Sequence, residues 1–319
     1  MTRIFVNLKR FDVPRSRGGI CPEEAPARWI AAIFDQLVKN GLAARSDVEL
    51  PFLLPEALLI SAADELDRHP RDDSRALSLG SQGVYRNDVQ PGGNFGAFTT
   101  LLPAAAAANL GARWSIIGHS EERRDKLEIM ATAARGAIDG DDPLPPETEA
   151  RHHAAVDMLV NRELRSALAR GLDVLFCMGE TQGQRGSGSP EEQRAHAAAA
   201  LEGQVARGLE GVKEYLGDRR IVIGYEPIWA IGPGKTPPDG AYIDFVAQAI
   251  KDSAMSRHGI EVPVVYGGGL KEANAAEIAG ARSVDGGLVA LTRFTDPIGF
   301  HADDLKKIVE TYVTARERS

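Results

Sequence analysis

Cysteine is scarce in this chain. Cys21 and Cys177 are the only two in 319 residues, they lie far apart, and they belong to no metal-binding or redox spacing. That pattern excludes a disulfide-framed module and a thiolate metal site, and a reducing, cytosolic setting is the simple reading. Positive charge is also in deficit. A formal net charge of −8 disfavours a nucleic acid or an anionic membrane surface as partner. A small anionic ligand stays open, because a local nest of backbone N–H groups binds phosphate inside an acidic protein. No uninterrupted apolar run is long enough to span a bilayer, and a strand-like segment, Arg3-Ile-Phe-Val-Asn-Leu8, stands where a leader would be. A soluble, intracellular protein is expected.

What the chain does have is apolar residues in short, regularly spaced runs, with a hydrophobic share of 43%. Strands are predicted at Ile4–Leu8, Val48–Leu53, Ala76–Ser81, Trp114–Gly118, Val174–Gly179, Ile221–Tyr225, Val262–Tyr266 and Gly287–Leu291. Amphipathic stretches lie between them: Ala27–Asn40, Glu56–His69, Val156–Gly171, Glu191–Leu216, Ala241–His258, Ala273–Ala279 and Asp303–Arg316. Strict alternation of this kind argues for a parallel sheet with helical crossovers, and eight units in one domain point to closure as a (β/α)₈ barrel. An open doubly wound sheet is the rival. No internal repeat is visible. The segment after the fourth strand, Glu121 to Ala150, is polar and acidic and ends in Asp141-Asp142-Pro143-Leu144-Pro145-Pro146, which reads as a solvated surface insertion.

Barrel enzymes carry their chemistry on the loops that follow the strands. At those positions stand Asn7 and Lys9, Gln82, His119 and Ser120, Glu180, Glu226, Gly267 to Gly269, and Ala290 onward. A base, an electrophile, a cation and glycine-rich backbone are what proton transfer beside the carbonyl of a phosphorylated substrate needs. Two tempting motifs fail. Gly234-Lys235-Thr236 invites a phosphate-loop reading, but that motif requires glycine where Trp229 stands. His152-His153 looks like a metal pair, yet adjacent helical residues point in different directions, so both are read as surface and no metal is expected.

These same residues resemble a known family. Asn7-Leu8-Lys9, Gly96-Ala97-Phe98-Thr99, Gly118-His119-Ser120-Glu121, Cys177-Met178-Gly179-Glu180-Thr181, Tyr225-Glu226-Pro227-Ile228-Trp229-Ala230-Ile231-Gly232 and Tyr266-Gly267-Gly268 are similar to triosephosphate isomerase, in the same order. The resemblance covers the chain apart from the acidic insertion and extra residues near Pro14–Pro22. It implies a single-domain barrel of that type and a cofactor-free isomerase. Glu226 would be the carboxylate that shuttles a proton between adjacent carbons, and His119 the family's neutral imidazole that polarises the substrate carbonyl. Lys9 matches the active-site cation and Asn7 its hydrogen-bonding neighbour, while Ser120, Glu121 and Glu180 match supporting positions. Pro227 to Thr236 resembles the lid that closes over substrate, where Gly232 and Gly234 let backbone N–H groups approach phosphate. The implied partner is a small phosphorylated sugar of carbohydrate metabolism (glycolysis in the family), and the implied assembly a homodimer through the loop carrying Thr99.

The departures from the family cluster where substrate phosphate is held. The family's serine after Tyr-Gly-Gly is Gly269 here, and its later glycine pair is replaced by Ala290 and Leu291, followed by Thr292 and Arg293. Leu291 narrows any nearby space, while Arg293 offers a bidentate fork for phosphate. In the lid Pro233 replaces a threonine; beside Lys9, Leu8 replaces a tryptophan and Arg10-Phe11 follow. Leu101 and Glu122 stand where the family's intersubunit bridge has its acid and arginine, so any dimer is expected to be held differently. Retained proton-transfer residues with a rebuilt phosphate end suggest kept chemistry on either the triose phosphates or a tetrulose phosphate of the erythrulose 1-phosphate type. A non-catalytic sugar-phosphate-binding barrel is the competing class.

Overall fold

The structure, a computed structural model, describes residues 1–136, 143–232 and 234–318. Eight strands, β1 (Thr2–Asn7), β2 (Val48–Leu54), β3 (Leu77–Ser81), β4 (Trp114–Ile117), β5 (Asp173–Met178), β6 (Ile221–Tyr225), β7 (Val264–Tyr266) and β8 (Gly286–Val289), pair in sequence order. All pairings are parallel, and β8 returns to β1 to close the barrel. The open-sheet alternative is thereby removed. Helices α1 (Pro26–Lys39), α2 (Glu56–Leu66), α3 (Ala104–Asn109), α4 (Ser120–Arg135) and α5 (Pro146–Ala169) fill the first four crossovers, and α6 (Gln182–Arg185) begins the fifth. They are followed by α7 (Pro190–Gly208), α8 (Lys213–Leu216), α9 (Gly240–His258), α10 (Glu272–Gly280) and α11 (Ala302–Arg316).

Side chains of a strand alternate between faces, so every second residue points into the barrel. In β1 the inward stripe reads Arg3, Phe5, Asn7; in β5 it reads Asp173, Leu175, Cys177, with Gly179 following. The middle of each stripe makes a closed apolar layer of Phe5, Leu53, Trp114, Ile116, Leu175, Cys177, Val222, Val265 and Leu288. Phe5 meets Trp114 edge-on at 4.9 Å between ring centroids. The outward residues belong to a second, larger core under the helices. Helix α1, for example, buries Trp29, Ile30, Ile33, Phe34 and Leu37, a spacing that places them on one face. Below the apolar layer, at the strand starts, the stripe is charged. Arg220 contacts Glu49 at 2.7 Å and Asp173 at 2.8 Å, Arg3 contacts Glu49 at 3.2 Å, and the Arg220 guanidinium lies 4.8 Å from the Trp114 ring centroid. Above the layer, at the strand ends, the stripe turns polar, with Asn7 after Phe5 and Glu226 after Gly224.

Two expectations need correction. The stretch from Glu121 to Ala150 is not a plain surface loop. Residues through Arg135 form most of α4, and α5 begins ten residues before the expected Val156, at Pro146. His119 caps α4 by accepting the Glu121 N–H, and Pro146 opens α5 with the fixed φ that suits a first helical turn. Asp141 and Asp142 lie outside the described residues. The helix expected over Glu191–Leu216 is two, because the chain breaks between α7 and α8, where Gly211 takes φ +64°. No helix among the described residues is long and apolar enough to cross a membrane.

Candidate active site

Glu226 is the residue that follows β6. Its N–H donates to Met178 O at 2.8 Å, which fixes the backbone as it leaves the barrel. Two neighbours must be glycine for it to sit there. A Cβ on Gly179 would fall 1.6 Å from Glu226 O, and one on Gly267 would fall 2.8 Å from Glu226 Cγ. The carboxylate is 2% exposed as a residue, yet no lysine or arginine pairs with it among the described residues. Instead Oε2 accepts the Ser120 N–H at 2.9 Å and Oε1 accepts the Ser120 hydroxyl at 3.1 Å. His119 Nε2 stands 3.3 Å from Oε1.

The orientation of His119 follows from α4. Its Nδ1 accepts the Glu121 N–H at 3.3 Å, so in the neutral ring the proton falls on Nε2, the nitrogen that faces Glu226 and the cavity. Lys9 is held in a left-handed conformation, φ +44°, which a lysine adopts only under constraint. The constraint is visible. Asn7 Oδ1 accepts the Lys9 N–H at 3.0 Å, and Gln82 Nε2 donates to Lys9 O at 2.8 Å and Asn7 Oδ1 at 3.2 Å. The Lys9 ammonium then meets Glu121 Oε1 at 2.7 Å. Burial works against ionising Glu121, but the Lys9 hydrogen bond and charge hold its carboxyl below the ordinary value. Gln82 was visible at a strand end, but its bracing role depends on contacts to a residue 73 positions away and has no local signature.

These groups open onto one cavity of about 960 Å³, lined by Asn7, Lys9, His119, Ser120, Glu121 and Glu226 together with Gly232, Gly267, Gly268, Gly269, Ala290 and Leu291. Two expected residues stand apart from that surface. Glu180 is buried under the first turn of the lid, where Oε1 accepts from Trp229 Nε1 at 2.7 Å and from the hydroxyls of Tyr225 and Tyr242 at 3.0 Å each. Burial pushes its carboxyl up despite those donors. It ties the segment after β6, through Trp229, to β6 at Tyr225 and α9 at Tyr242. Arg293 is the correction: its Nε and Nη2 both donate to Asp304 Oδ2, at 3.0 and 2.7 Å, and the cavity lining does not include it. Its fork is occupied by the first turn of α11. The cations that do line the cavity on that side are Lys235, met in the sequence only within the rejected phosphate-loop motif, and Lys271, which the sequence reading did not single out. Pro233 of the lid lies outside the described residues, and the flanking Gly232 and Gly234 take φ +124° and +75°.

His153 also departs from expectation. It is half-buried and lines the cavity, and burial lowers its pKa. No grouping of side chains that could hold a metal ion occurs among the described residues. Thr99 is exposed, on a loop whose tip carries Phe95 at 83% exposure; its base is tied to α5 by Arg162 on Asn87, at 3.0 Å, and Arg170 on Asp88.

A closed parallel barrel whose C-terminal mouth gathers a buried glutamate, a histidine and a lysine around one cavity has the architecture of the barrel enzymes, which carry their chemistry at that end. The comparisons narrow the class. The family model for triosephosphate isomerase matches residues 30–141 and 147–302. The chain is 32% identical over 233 residues to a triosephosphate isomerase from Alkalilimnicola ehrlichii, spanning 72% of this chain and 75% of that one. With the Delftia acidovorans triosephosphate isomerase identity is 27% over 260 residues, 81% of this chain and 85% of that one. In fold it resembles the crystal structure of triosephosphate isomerase from Bartonella henselae, with a TM-score of 0.62 at 23% identity, covering 98% of this chain and 99% of that one. The chain belongs to the triosephosphate isomerase family and is an isomerase.

Proposed function

We propose that the cavity interconverts an aldose phosphate and a ketose phosphate, without a cofactor, by a proton shuttle on Glu226. The observation that carries this reading is the state of Glu226: buried, uncrossed by any lysine or arginine, and held by Ser120 beside the His119 Nε2. Glu226 takes a proton from the hydroxyl-bearing carbon next to the carbonyl and returns it to the former carbonyl carbon, while the hydroxyl proton passes to the former carbonyl oxygen by way of His119 Nε2, so that one hydrogen moves between carbons and one between oxygens. The negative oxygen of the enediolate formed between these steps receives a hydrogen bond from His119 Nε2–H and the charge of Lys9. Asn7 and Gln82 fix Lys9, and Glu121 sets the reach of its ammonium. Backbone N–H groups near Gly232, Gly267, Gly268 and Gly269, with Ala290 and Leu291, receive the phosphate, and Lys235 and Lys271 add positive charge there in place of Arg293. The glyceraldehyde 3-phosphate and dihydroxyacetone phosphate pair is the leading substrate, which places the enzyme in the cytoplasm and in glycolysis. A homodimer through the exposed tip around Phe95 and Thr99 fits the apolar surface there.

A second reading keeps the chemistry and changes the sugar to a tetrulose phosphate. Leu291 in the lining of the phosphate end, and a cavity larger than a three-carbon ester requires, favour it. Purified protein assayed side by side on glyceraldehyde 3-phosphate and erythrulose 1-phosphate separates the two. A protein that binds both esters yet exchanges no carbon-bound hydrogen of either with solvent is a binding barrel, and the isomerase reading fails.

A further inference from the structure

The cavity does not end at Glu226. Past His119 it continues between α4, α5 and α7, where Arg124, Leu127, His153, Asp157, Gln184 and Arg207 form its wall. This arm is built by the extended α4 and α5, the stretch that stood out of scale in the sequence. Its charges do not balance. Asp157, 1% exposed, faces two guanidinium groups, Arg123 at 2.6 Å on Oδ1 and Arg207 at 2.8 Å on Oδ2, so one carboxylate answers two cations. Arg124 makes no side-chain hydrogen bond and no ion pair within 4 Å among the described residues; its charge acts on Glu121 from further off, beside the closer Lys9. The nearby acids are already engaged: Glu121 with Lys9, and Glu122 and Glu163 with Lys126. Across the whole cavity six cations stand against three carboxylates, in a chain whose formal net charge is −8. A local surplus of that kind, set among the half-buried His153, Gln184 and Arg207 with the exposed Arg124 beside them, attracts an anion that the rest of the surface repels.

We propose that this arm is a second oxyanion subsite, in which Arg124, Arg207 and His153 receive a phosphate or carboxylate group beyond the reacting carbons. Arg207 keeps its bond to Asp157 and has its outer face open, its side chain being 40% exposed. Arg124 supplies a free planar fork, and the His153 ring supplies one further hydrogen bond. The inference rests on the isomerase reading only for the origin of the anion. Either it is the distal end of a substrate longer than a triose phosphate, or it is a separate anion bound beside the substrate.

Arg124→Met tests this without touching the catalytic groups, and because Arg124 is exposed and unpaired the fold is retained. Wild type and variant are titrated calorimetrically with inorganic phosphate, and a five-carbon ketose 1,5-bisphosphate is measured as a competitor of triose phosphate turnover. The expected result is two phosphate sites in wild type, one of them weakened about tenfold in the variant, with the KM for triose phosphate unchanged. A parallel tenfold loss for the bisphosphate assigns the subsite to the substrate's distal end. Loss for inorganic phosphate alone assigns it to a separate anion. A variant that binds both probes as wild type does overturns the subsite. Wild type that turns over no sugar phosphate defeats the isomerase reading, while the phosphate titration still decides the subsite.

Discussion

At the strand starts, Asp173 and Glu49 grip Arg220 from two sides, Arg3 closes on Glu49, and Trp114 floors the cluster. At the strand ends, on the same inward-facing stripes, Glu226 lies buried with hydrogen bonds but no cation across it. One end of the barrel uses charge to close itself, and every charge there has its opposite in contact. The other end keeps its carboxylate, imidazole and lysine turned to a cavity. Buried charges cost much desolvation, which direct pairing offsets. At the mouth, Ser120 gives Glu226 two hydrogen bonds and the His119 ring stands beside it, with no lysine or arginine in contact among the described residues.

Breaking each end in turn sharpens the contrast. Glu226→Gln should lower kcat by about 10²–10⁴-fold, the range of a lost general base, while the thermal midpoint stays near that of wild type. Arg220→Met should do the reverse. Leaving Asp173 buried without its partner costs about 3–5 kcal/mol of stability by urea titration, with kcat of the folded fraction unchanged. A large loss of kcat in Arg220→Met at temperatures where it is fully folded would contradict the division between the ends. Trp229→Phe removes the 2.7 Å donor to Glu180 and loosens the lid hinge; kcat and KM should shift together by severalfold, less than for Glu226.

A pH-dependent effect on stability concerns a carboxyl pair behind the His119 loop. Burial, and then the neighbouring Glu122, pushes Glu163 up to about 9 from an ordinary 4.5. Burial opposes ionisation of Glu122 as well, but the proton offered by Glu163 and the Lys126 ammonium bring it below its ordinary value. Glu163 therefore keeps its proton in the folded chain and loses it in the unfolded chain above about pH 4.5. Its contribution is present below that pH and is lost as pH rises toward about 9, since the native state then binds the extra proton. Urea midpoints for Glu163→Gln should show a shallower decline across that interval than wild type. An identical slope would mean that the pair does not share a proton in this way.

The strand frame was legible because fully buried parallel strands print their composition on short segments; β6 occupies Ile221–Tyr225 as expected. The strand-end positions also announced Asn7, Lys9, His119 and Glu226, all of which the fold brings to one cavity. Three features were not legible, each for a physical reason. Helix α4 is polar on most of its surface, so it lacks the apolar stripe that marks a packed helix, and its first turn is set by a histidine cap. Arg293 offered the right chemistry for phosphate, but Asp304, a turn into the next helix, claims it in the folded chain. His153 looked like one of two surface histidines until the α4–α5 pair turned it toward the cavity.

The proposed function rests on Glu226 moving a proton between carbons of a sugar phosphate. Its most direct test follows carbon-bound hydrogen by NMR when dihydroxyacetone phosphate is incubated with wild type or Glu226→Gln in deuterated water. Deuterium should enter the carbon next to the carbonyl with wild type, at a rate that accompanies formation of the aldose phosphate, and almost none should enter with the variant. Equal exchange by both proteins would contradict it.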